Sequence, residues 1–222
     1  QQYGGALPCM QIMDAPDMPN RGYYFDQTRG RILKLEELKK EIIEYGKLAG
    51  IKNFTPGYSG NFSARYEDKI LITSSGSANG YLCEDEIVLI DFNGNVVEGN
   101  KKASSEKMLH VEFYKQRPDV NYIIHVHSPY LSSFACCRIP LDEPVMAENV
   151  FYFGQIPLAE YGLPGSYDLV EKTAKYFKDY NAVLMANHGF IVGDKTIKDA
   201  FLKLELAESY AQVALNTKIL GG

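Results

Sequence analysis

The spacing of apolar residues along the chain predicts several helices. From Lys34 to Ala49 these residues recur every three or four positions, which is the period of an amphipathic helix, and Gly50 is expected to end it. Ser104 is a good N-cap for a second helix, which Pro118 closes. Counting that second helix, four more are expected at about 104–116, 129–136, 166–178 and 196–218.

Short runs of β-branched and aromatic residues predict the strands. Asn93-Gly94 lies between two such runs and is a strong hairpin signal. Because strands and helices mix with hairpins, we expect a three-layer α/β/α fold with a central mixed, largely antiparallel sheet. The strands are expected at about 61–66, 69–73, 87–91, 96–97, 121–127 and 155–160, and on either side of 187–189.

The first 30 residues differ from the rest of the chain. They carry Pro8, Pro16 and Pro19 but no sustained hydrophobic period, which predicts an irregular extension over residues 1–30. Residues 31–222 are expected to form one domain, because nothing in their composition divides them.

Composition and charge narrow the class of protein. Of 222 residues, 45% are hydrophobic and 23% are charged, as is typical of a soluble globular protein. The net charge of −5 and the lack of a long run of Lys or Arg argue against nucleic acid or a membrane as a partner. The four cysteines include an adjacent pair and no C-x-x-C, which indicates reduced thiols in a cytoplasmic protein.

Three of the four histidines lie where a metal ion could use them. His125 and His127 are two positions apart on a predicted strand, so their side chains point to the same face. His188 follows the apolar run 182–186, and the end of that strand could place a third ligand. Three imidazoles suit Zn²⁺ or a similar divalent ion and leave a position for a substrate oxygen. The spacing alone is equally compatible with ordinary polar residues on a half-buried strand and at a turn.

Five short motifs occur in the order and approximate spacing of one protein family. The motifs are Gly60-Asn61-Phe62-Ser63, Ile70-Leu71-Ile72-Thr73-Ser74-Ser75-Gly76, Ser104-Ser105-Glu106, His125-Val126-His127 and Asn187-His188-Gly189. Together they make residues 34–220 resemble the class II aldolase/adducin family, with the L-fuculose-1-phosphate aldolases as the nearest branch. Adducin-like interaction modules lack the full set of metal ligands, which this chain retains, so the resemblance favours an enzyme.

The resemblance implies an aldolase that reversibly cleaves a ketose 1-phosphate into dihydroxyacetone phosphate and a short aldehyde. It also implies that His125, His127 and His188 hold a divalent cation, normally Zn²⁺, and that Glu106 is both a ligand and the catalytic base. Without the resemblance, a glutamate at this position is explained as one favoured by the helix dipole.

The resemblance also assigns a cradle for the substrate phosphate. No Lys or Arg belongs to its motifs, so it relies on backbone N–H groups, hydroxyls and the positive end of a helix. Ordinary turns and caps use the same residue types and would explain them equally. The implied residues are Gly60, Asn61, Ser75, Gly76, Ser104 and Ser105.

Two departures from the fuculose-phosphate pattern leave other reactions open. Those aldolases carry a catalytic tyrosine on a C-terminal tail, and the present sequence ends at Gly222, before such a tail is expected. The stretch 144–148 lacks the aromatic that lines the fuculose site, and Glu148 stands about where methylthioribulose-1-phosphate dehydratases place an acid/base residue. A dehydratase with Glu148 as a catalytic residue, or a pentulose-5-phosphate 4-epimerase, is therefore also compatible with the sequence.

The sequence also bears on the assembly of the protein and on the role of its fourth histidine, His110. The resemblance implies a cytoplasmic homotetramer with cyclic symmetry and active sites near the subunit seams. Tyr23 and Tyr24 of the N-terminal extension could offer a phenol to a neighbour's site, although a surface arm explains them better. His110, one helical turn beyond Glu106, is expected to be a hydrogen-bonded structural residue rather than a ligand.

Overall fold

The computed structural model describes residues 23–26 and 31–222. Within these residues the chain forms six α-helices and ten strands. The helices are α1 Leu35–Ile51, α2 Lys107–Gln116, α3 Pro129–Cys137, α4 Ala147–Phe153, α5 Tyr167–Ala174 and α6 Ile197–Leu220. The strands are β1 Tyr23–Asp26, β2 Arg31–Lys34, β3 Asn61–Tyr66, β4 Lys69–Thr73, β5 Ile87–Asp91, β6 Val96–Glu98, β7 Tyr122–Val126, β8 Leu158–Ala159, β9 Ala182–Met185 and β10 Gly189–Asp194.

Eight of the strands form one mixed sheet in the order β6-β5-β4-β3-β7-β10-β9-β8. All neighbouring strands are antiparallel except β8 and β9, which run parallel. His125 lies on the central strand β7, opposite Asn61 of β3 on one side and Ile191 of β10 on the other. The predicted mixed, largely antiparallel sheet is confirmed, and its register places one metal-ligand candidate at the middle of the sheet.

Helices cover both faces of this sheet and bury two separate apolar cores. On one face α1, α3 and α6 contribute residues such as Leu38, Leu131 and Phe201. On the other face α2 and α5 contribute Phe113 and Leu169, among others. A fully buried leucine or phenylalanine stabilises the fold by about 1.5–3 kcal/mol, so both layers are held by apolar burial. The predicted three-layer α/β/α arrangement is confirmed.

Three element boundaries differ from those predicted. The strand expected at 155–160 is only Leu158–Ala159, because Ile156 instead forms an isolated bridge with Leu141 across an irregular stretch. The helix expected at 166–178 ends at Ala174 and is followed by hydrogen-bonded turns. The segment predicted to be irregular contains β1, whose backbone pairs with β2, and its three prolines lie outside the described residues.

The start of α2 is a correction that bears on the site. Ser104 was expected to cap the helix, but α2 begins at Lys107 and Glu106 occupies the N-cap position. The Ser104 backbone N–H instead donates to the Thr73 carbonyl, and its hydroxyl accepts a hydrogen bond from the Glu106 N–H at 3.2 Å. The serine therefore holds the turn that presents Glu106, one residue before the helix begins.

Gly50 was expected to end α1, but the helix continues one residue further, to Ile51. The missing side chain of Gly50 instead permits a close packing contact. A Cβ on Gly50 would lie 2.6 Å from the Cα of Gly80, and one on Gly46 would lie 2.7 Å from the carbonyl oxygen of Asn79. These two glycines are one helical turn apart, so they let the turn Asn79–Tyr81 lie directly against the helix. The position of Asn79 is fixed in this way, and Asn79 in turn supports the site.

Candidate functional site

The three histidines singled out in the sequence meet at the end of the central strands. His125 is on β7, His127 follows that strand directly, and His188 lies in the tight turn between β9 and β10. That turn needs Asn187 at φ 54, a left-handed conformation that Asn tolerates better than most residues. The Asn187 side chain accepts a hydrogen bond from Arg138 Nε at 3.0 Å, which anchors the turn and so fixes His188.

Distances between the imidazoles match those around a single small cation. His125 Nε2 and His127 Nε2 are 3.0 Å apart. The candidate ligand nitrogens of the three histidines all lie within 4.8 Å of one another. Two ligands of a tetrahedral zinc ion with bonds of about 2.0–2.1 Å would be about 3.3 Å apart, so a small rearrangement suffices. Gly189 permits the close approach, because a Cβ there would lie 2.7 Å from His127 Cδ2.

Glu106 brings a carboxylate to the same point. Its Oε2 is 3.1 Å from His125 Nε2, and its Oε1 is 3.0 Å from His188 Nε2. Burial acts to raise the pKa of Glu106, but the neighbouring imidazoles of His125 and His188 outweigh burial and hold the pKa well below its usual range. Glu106 is therefore a charged carboxylate with 7% of its surface exposed.

The state of these groups fits a bound divalent cation. His125 Nδ1 donates to the Phe190 carbonyl at 2.9 Å, which directs Nε2 at Glu106 and the other histidines. Burial acts to lower the pKa of His125, but the Glu106 carboxylate outweighs it and raises that pKa, so a cation bound here would take the place of a proton. Burial, followed by the charges of His125 and His188, lowers the pKa of His127 to about 3, which keeps the ring neutral as metal binding requires. The buried Glu106 Oε1 accepts no well-aligned hydrogen bond among the described residues, although His188 Nε2 lies 3.0 Å from it, and a cation between the two atoms would satisfy both.

A cavity of about 210 Å³ opens beside the histidines and Glu106. Among the described residues that line it there is no Lys or Arg, so an anion in it would be held by neutral groups. The structure brings all six predicted phosphate residues to its wall: Gly60, Asn61, Ser75, Gly76, Ser104 and Ser105.

The loop before β3 is held in place from behind. Gly60 has φ 75, and a Cβ there would lie 2.4 Å from the carbonyl oxygen of His125, so only glycine fits. The Asn79 amide donates to the carbonyls of Ser59 and Gly60 at 2.8 and 2.9 Å. Because Asn79 is itself fixed by the glycines of α1, the packing of that helix is transmitted to the cavity wall.

Two predicted site residues behave differently from the others. The Asn61 side chain donates to Glu106 Oε2 at 2.9 Å and faces His110 with its oxygen, so its polar atoms serve the carboxylate rather than the cavity. Glu148 is exposed on α4 and is not among the described residues that line the cavity. His110 is fully buried and hydrogen-bonded to Asn61 and Ser63, as expected of a structural histidine.

Glu208 supports the site and was missed in the sequence. This buried residue of α6 accepts hydrogen bonds at the start of α3, from Ser128 Oγ at 2.7 Å and from the N–H groups of Tyr130 and Leu131 at 2.9 Å. It thereby caps the helix that begins just after His127. No local signal could reveal this contact, because the partners are 77 to 80 residues apart in the chain.

Replacing Glu208 with alanine is expected to lower the free energy of unfolding by about 2–4 kcal/mol, because three buried donors lose a charged acceptor. Urea denaturation followed by circular dichroism measures this change. The matched control is Glu205→Ala on the same helix, whose ion pair with Lys52 is partly exposed, and which should cost less than about 1 kcal/mol. Equal losses for the two variants would contradict the capping role.

Comparison with known proteins identifies the family. The model of the class II aldolase and adducin N-terminal domain matches residues 40–215. This chain therefore belongs to the class II aldolase and adducin family. No helix among residues 31–222 combines the length and the apolar character needed to cross a membrane.

The relatives of this chain include sugar-phosphate aldolases and a decarboxylase. The L-fuculose phosphate aldolase of Methanocaldococcus jannaschii is 36% identical over 177 residues, which are 80% of this chain and 95% of that protein. A solved structure of L-fuculose 1-phosphate aldolase superposes with a TM-score of 0.80 at 34% identity, covering 84% of this chain and 88% of that one. The 3-oxo-tetronate 4-phosphate decarboxylase of Haemophilus influenzae is 31% identical over 181 residues, which are 79% of this chain and 85% of that protein.

Proposed function

We propose that this protein is a divalent-metal-dependent aldolase that reversibly cleaves a ketose 1-phosphate into dihydroxyacetone phosphate and a short aldehyde. The observation that carries the proposal is the meeting of three imidazoles and a carboxylate at one wall of a cavity whose other walls are neutral donors. Zn²⁺ is the proposed ion, since a set of three histidines and a displaceable fourth ligand is typical of catalytic zinc.

The cavity suits the phosphate end of such a substrate. The backbone at Gly76 has φ 79 and stands open, so N–H groups there can approach an anion without a side chain in the way. Hydroxyl groups of Ser75 and Ser105 are the donors next to it on the cavity wall. We therefore assign the phosphate to this region, with the ketose carbonyl directed at the histidines.

When bound, the cation supplies Lewis acidity that stabilises negative charge developing on the carbonyl oxygen. The protein's own part is proton transfer at Glu106. In the condensation direction Oε1 accepts a proton from the hydroxymethyl carbon of dihydroxyacetone phosphate, and that carbon then attacks the aldehyde, whose oxygen takes up a proton from water. In cleavage the hydroxyl on carbon 4 gives its proton to water, the bond between carbons 3 and 4 breaks with its electron pair staying on carbon 3, and protonated Glu106 delivers a proton to that carbon.

A second candidate is decarboxylation of a 3-oxo acid phosphate, as the name of the Haemophilus influenzae relative suggests. Loss of CO₂ from a 3-oxo-tetronate 4-phosphate leaves the same three-carbon enediolate as aldol cleavage, so one site serves both reactions. The two differ in the group that the substrate loses, which is an anionic carboxylate released as CO₂ in one and a neutral aldehyde in the other. The lack of Lys or Arg among the described residues around the cavity favours the aldehyde.

Two more candidate reactions are dehydration of a methylthioribulose-type 1-phosphate and epimerisation of a pentulose 5-phosphate. The dehydratase requires Glu148, which is exposed on α4 in the single chain. A Glu148→Gln variant separates dehydration from cleavage, because aldol cleavage should persist in it whereas dehydration should fall by about a hundredfold or more.

A panel of ketose 1-phosphates that would release lactaldehyde, glycolaldehyde or acetaldehyde tests the proposal. The products are followed by a coupled assay for dihydroxyacetone phosphate and by separate assays for aldehyde and CO₂. The proposal expects dihydroxyacetone phosphate and aldehyde in equal amounts from at least one member. Release of CO₂, a dehydrated product or an epimer without cleavage would overturn the proposal.

We further propose that the protein assembles as a homotetramer. Large apolar side chains are exposed near the site on α4 and at the start of α5, with Phe151 82%, Leu163 61% and Tyr167 75% exposed in the single chain. Such a concentration is typical of a surface covered by another subunit. Light scattering on the purified protein tests this proposal, and a monomeric mass at micromolar concentration would contradict it.

A further inference from the structure

A row of polar residues joins strand β3 to helix α2 behind the site. Alternate residues on a strand rise by about 6.6 Å, and every fourth residue on a helix rises by about 6.0 Å, so two such series can face each other step by step. One series lies on one face of β3 and the other on one face of α2. The row consists of Asn61, Ser63 and Arg65 on the strand, of Glu106 at the N-cap of the helix, and of His110 and Tyr114 along the helix.

These residues form a continuous hydrogen-bonded chain that ends on the carboxylate. Asn61 Nδ2 donates to Glu106 Oε2 at 2.9 Å, and Asn61 Oδ1 lies 2.5 Å from His110 Nε2. The other ring nitrogen, His110 Nδ1, is 2.7 Å from Ser63 Oγ, and Ser63 Oγ is 2.8 Å from the Tyr114 hydroxyl. Asn61, Ser63, His110 and Tyr114 are at most 5% exposed, so water does not complete the chain.

The chemistry of the groups fixes the direction of the bonds between Glu106 and Ser63. A carboxylate only accepts, so Asn61 must present its NH₂ to Glu106 and its oxygen to His110. His110 must then carry its hydrogen on Nε2. Burial, followed by the charge of His125 and against the pull of Glu106, lowers the pKa of His110 to about 3, so the ring is neutral and Nδ1 accepts from Ser63. The donors of Ser63, His110 and Asn61 therefore point towards Glu106. The Tyr114 hydroxyl has two neighbours, Ser63 Oγ at 2.8 Å and the Asn121 carbonyl at 3.3 Å.

Arg65 holds the far end of the chain. Its Nη2 donates to the Tyr114 carbonyl at 2.8 Å, and its guanidinium carbon lies 4.8 Å from the centre of the Tyr114 ring. These contacts fix the last turn of α2 and with it the Tyr114 hydroxyl. Both ends of this hydrogen-bonded row are thus anchored, one by the guanidinium of Arg65 and the other by the carboxylate of Glu106.

We propose that His110 is a positioning residue, which fixes the Glu106 carboxylate through Asn61 so that Oε2 is held and Oε1 faces the position of the cation and substrate. The neutral Nε2–H form of His110 is required for this role, because Asn61 Oδ1 can only accept, and Ser63 complements that form by donating to Nδ1. The effect on catalysis rests on the proposed function, whereas the tautomer and the effect on metal affinity do not.

The tautomer is tested by NMR of the whole protein labelled with ¹⁵N-histidine. Near neutral pH the long-range ¹H–¹⁵N spectrum should show His110 with hydrogen on Nε2 and none on Nδ1. A Ser63→Ala variant removes the donor to Nδ1 with little loss of volume, and the hydrogen should stay on Nε2, because Asn61 Oδ1 still accepts it. Hydrogen on Nδ1, or on both nitrogens, in the unsubstituted protein would overturn the proposal.

Function is tested by comparing His110→Leu with His110→Gln. The glutamine NH₂ can replace the imidazole Nε2–H as donor to Asn61, whereas leucine fills the space without donating. With leucine we expect zinc affinity, measured by competition with a chelating dye, and kcat to fall by about 10–100-fold. Glutamine should recover most of both losses, with KM similar in the two variants.

Unfolding measurements on the same proteins separate positioning from stability. The proposal is overturned if leucine and glutamine variants lose zinc affinity equally, or if neither loses any. If the unsubstituted protein cleaves no ketose phosphate, the proposed function fails, but the tautomer and the zinc affinities still decide the role of His110. If the His110→Leu variant does not fold, Ser63→Ala takes its place in the test. We expect Ser63→Ala to lower zinc affinity too, but by less than His110→Leu would.

Discussion

Replacing Glu106 with glutamine is expected to lower kcat for ketose-phosphate cleavage by about 10²–10⁴-fold, the range that general acid–base catalysis supplies. The amide keeps the size of the side chain but cannot accept and return a proton at Oε1. Its NH₂ would also face Asn61 Nδ2 or a histidine, depending on its orientation. The zinc should remain bound, since the three histidines are unchanged.

The measurement for Glu106→Gln is steady-state kinetics together with zinc content on the same sample. Glu112→Gln is the matched control, because Glu112 lies on α2 and bonds only to Gln116 at 2.9 Å among the contacts described for its side chain. Turnover of the control should equal that of the unsubstituted protein. If Glu106→Gln keeps kcat within about threefold while zinc is bound, Glu106 is not the acid–base group.

Replacing His127 with alanine is expected to remove the metal and with it essentially all activity. The lost ligand leaves His125 and His188, and two imidazoles with one carboxylate bind zinc far more weakly than the full set. In addition, His127 Nε2 lies 3.0 Å from His125 Nε2, and its loss leaves His125 Nε2 facing Glu106 Oε2 at 3.1 Å without this neighbour.

Metal analysis of His127→Ala purified without chelator measures this loss. A variant that holds as much zinc as the unsubstituted protein would contradict the assignment of the ligands. Circular dichroism is needed beside it, because His127 is only half-buried and its removal should leave the fold intact. An unfolded His127→Ala protein would contradict that expectation about the fold.

Periodic features of the chain were predictable from the sequence because they depend on neighbours within one element. The hairpin at Asn93-Gly94 is confirmed as the turn between β5 and β6, and the strand carrying His125 is confirmed as β7. Both signals are local, since a turn type and an apolar strand are encoded in a few consecutive residues.

Features that depend on partners distant in the chain were not predictable. Gly50 lies inside α1 because the turn at Gly80 packs against it, and the pattern around Gly50 contains no sign of that turn. Glu208 was missed for the same reason, as its acceptor role exists only once α6 lies beside the start of α3.

The polar row between β3 and α2 is an intermediate case. Its two series are visible in the sequence as Asn61-x-Ser63-x-Arg65 and Glu106-x₃-His110-x₃-Tyr114. The sequence could not show that they face each other, because the order of strands in the sheet decides which helix covers which strand. The resemblance assigns Asn61 to the phosphate cradle, and the structure adds a bond from its side chain to Glu106 that the sequence did not indicate.

The most direct test of a metal-dependent aldolase at this site is a zinc titration of protein stripped of metal by a chelator. Cleavage of the best ketose 1-phosphate is followed as zinc is added, beside the zinc bound per chain. We expect no activity without metal, and an activity that rises linearly with added zinc until one zinc ion is bound per chain. Full cleavage activity in metal-free protein, or recovery that persists unchanged in His127→Ala, would contradict it.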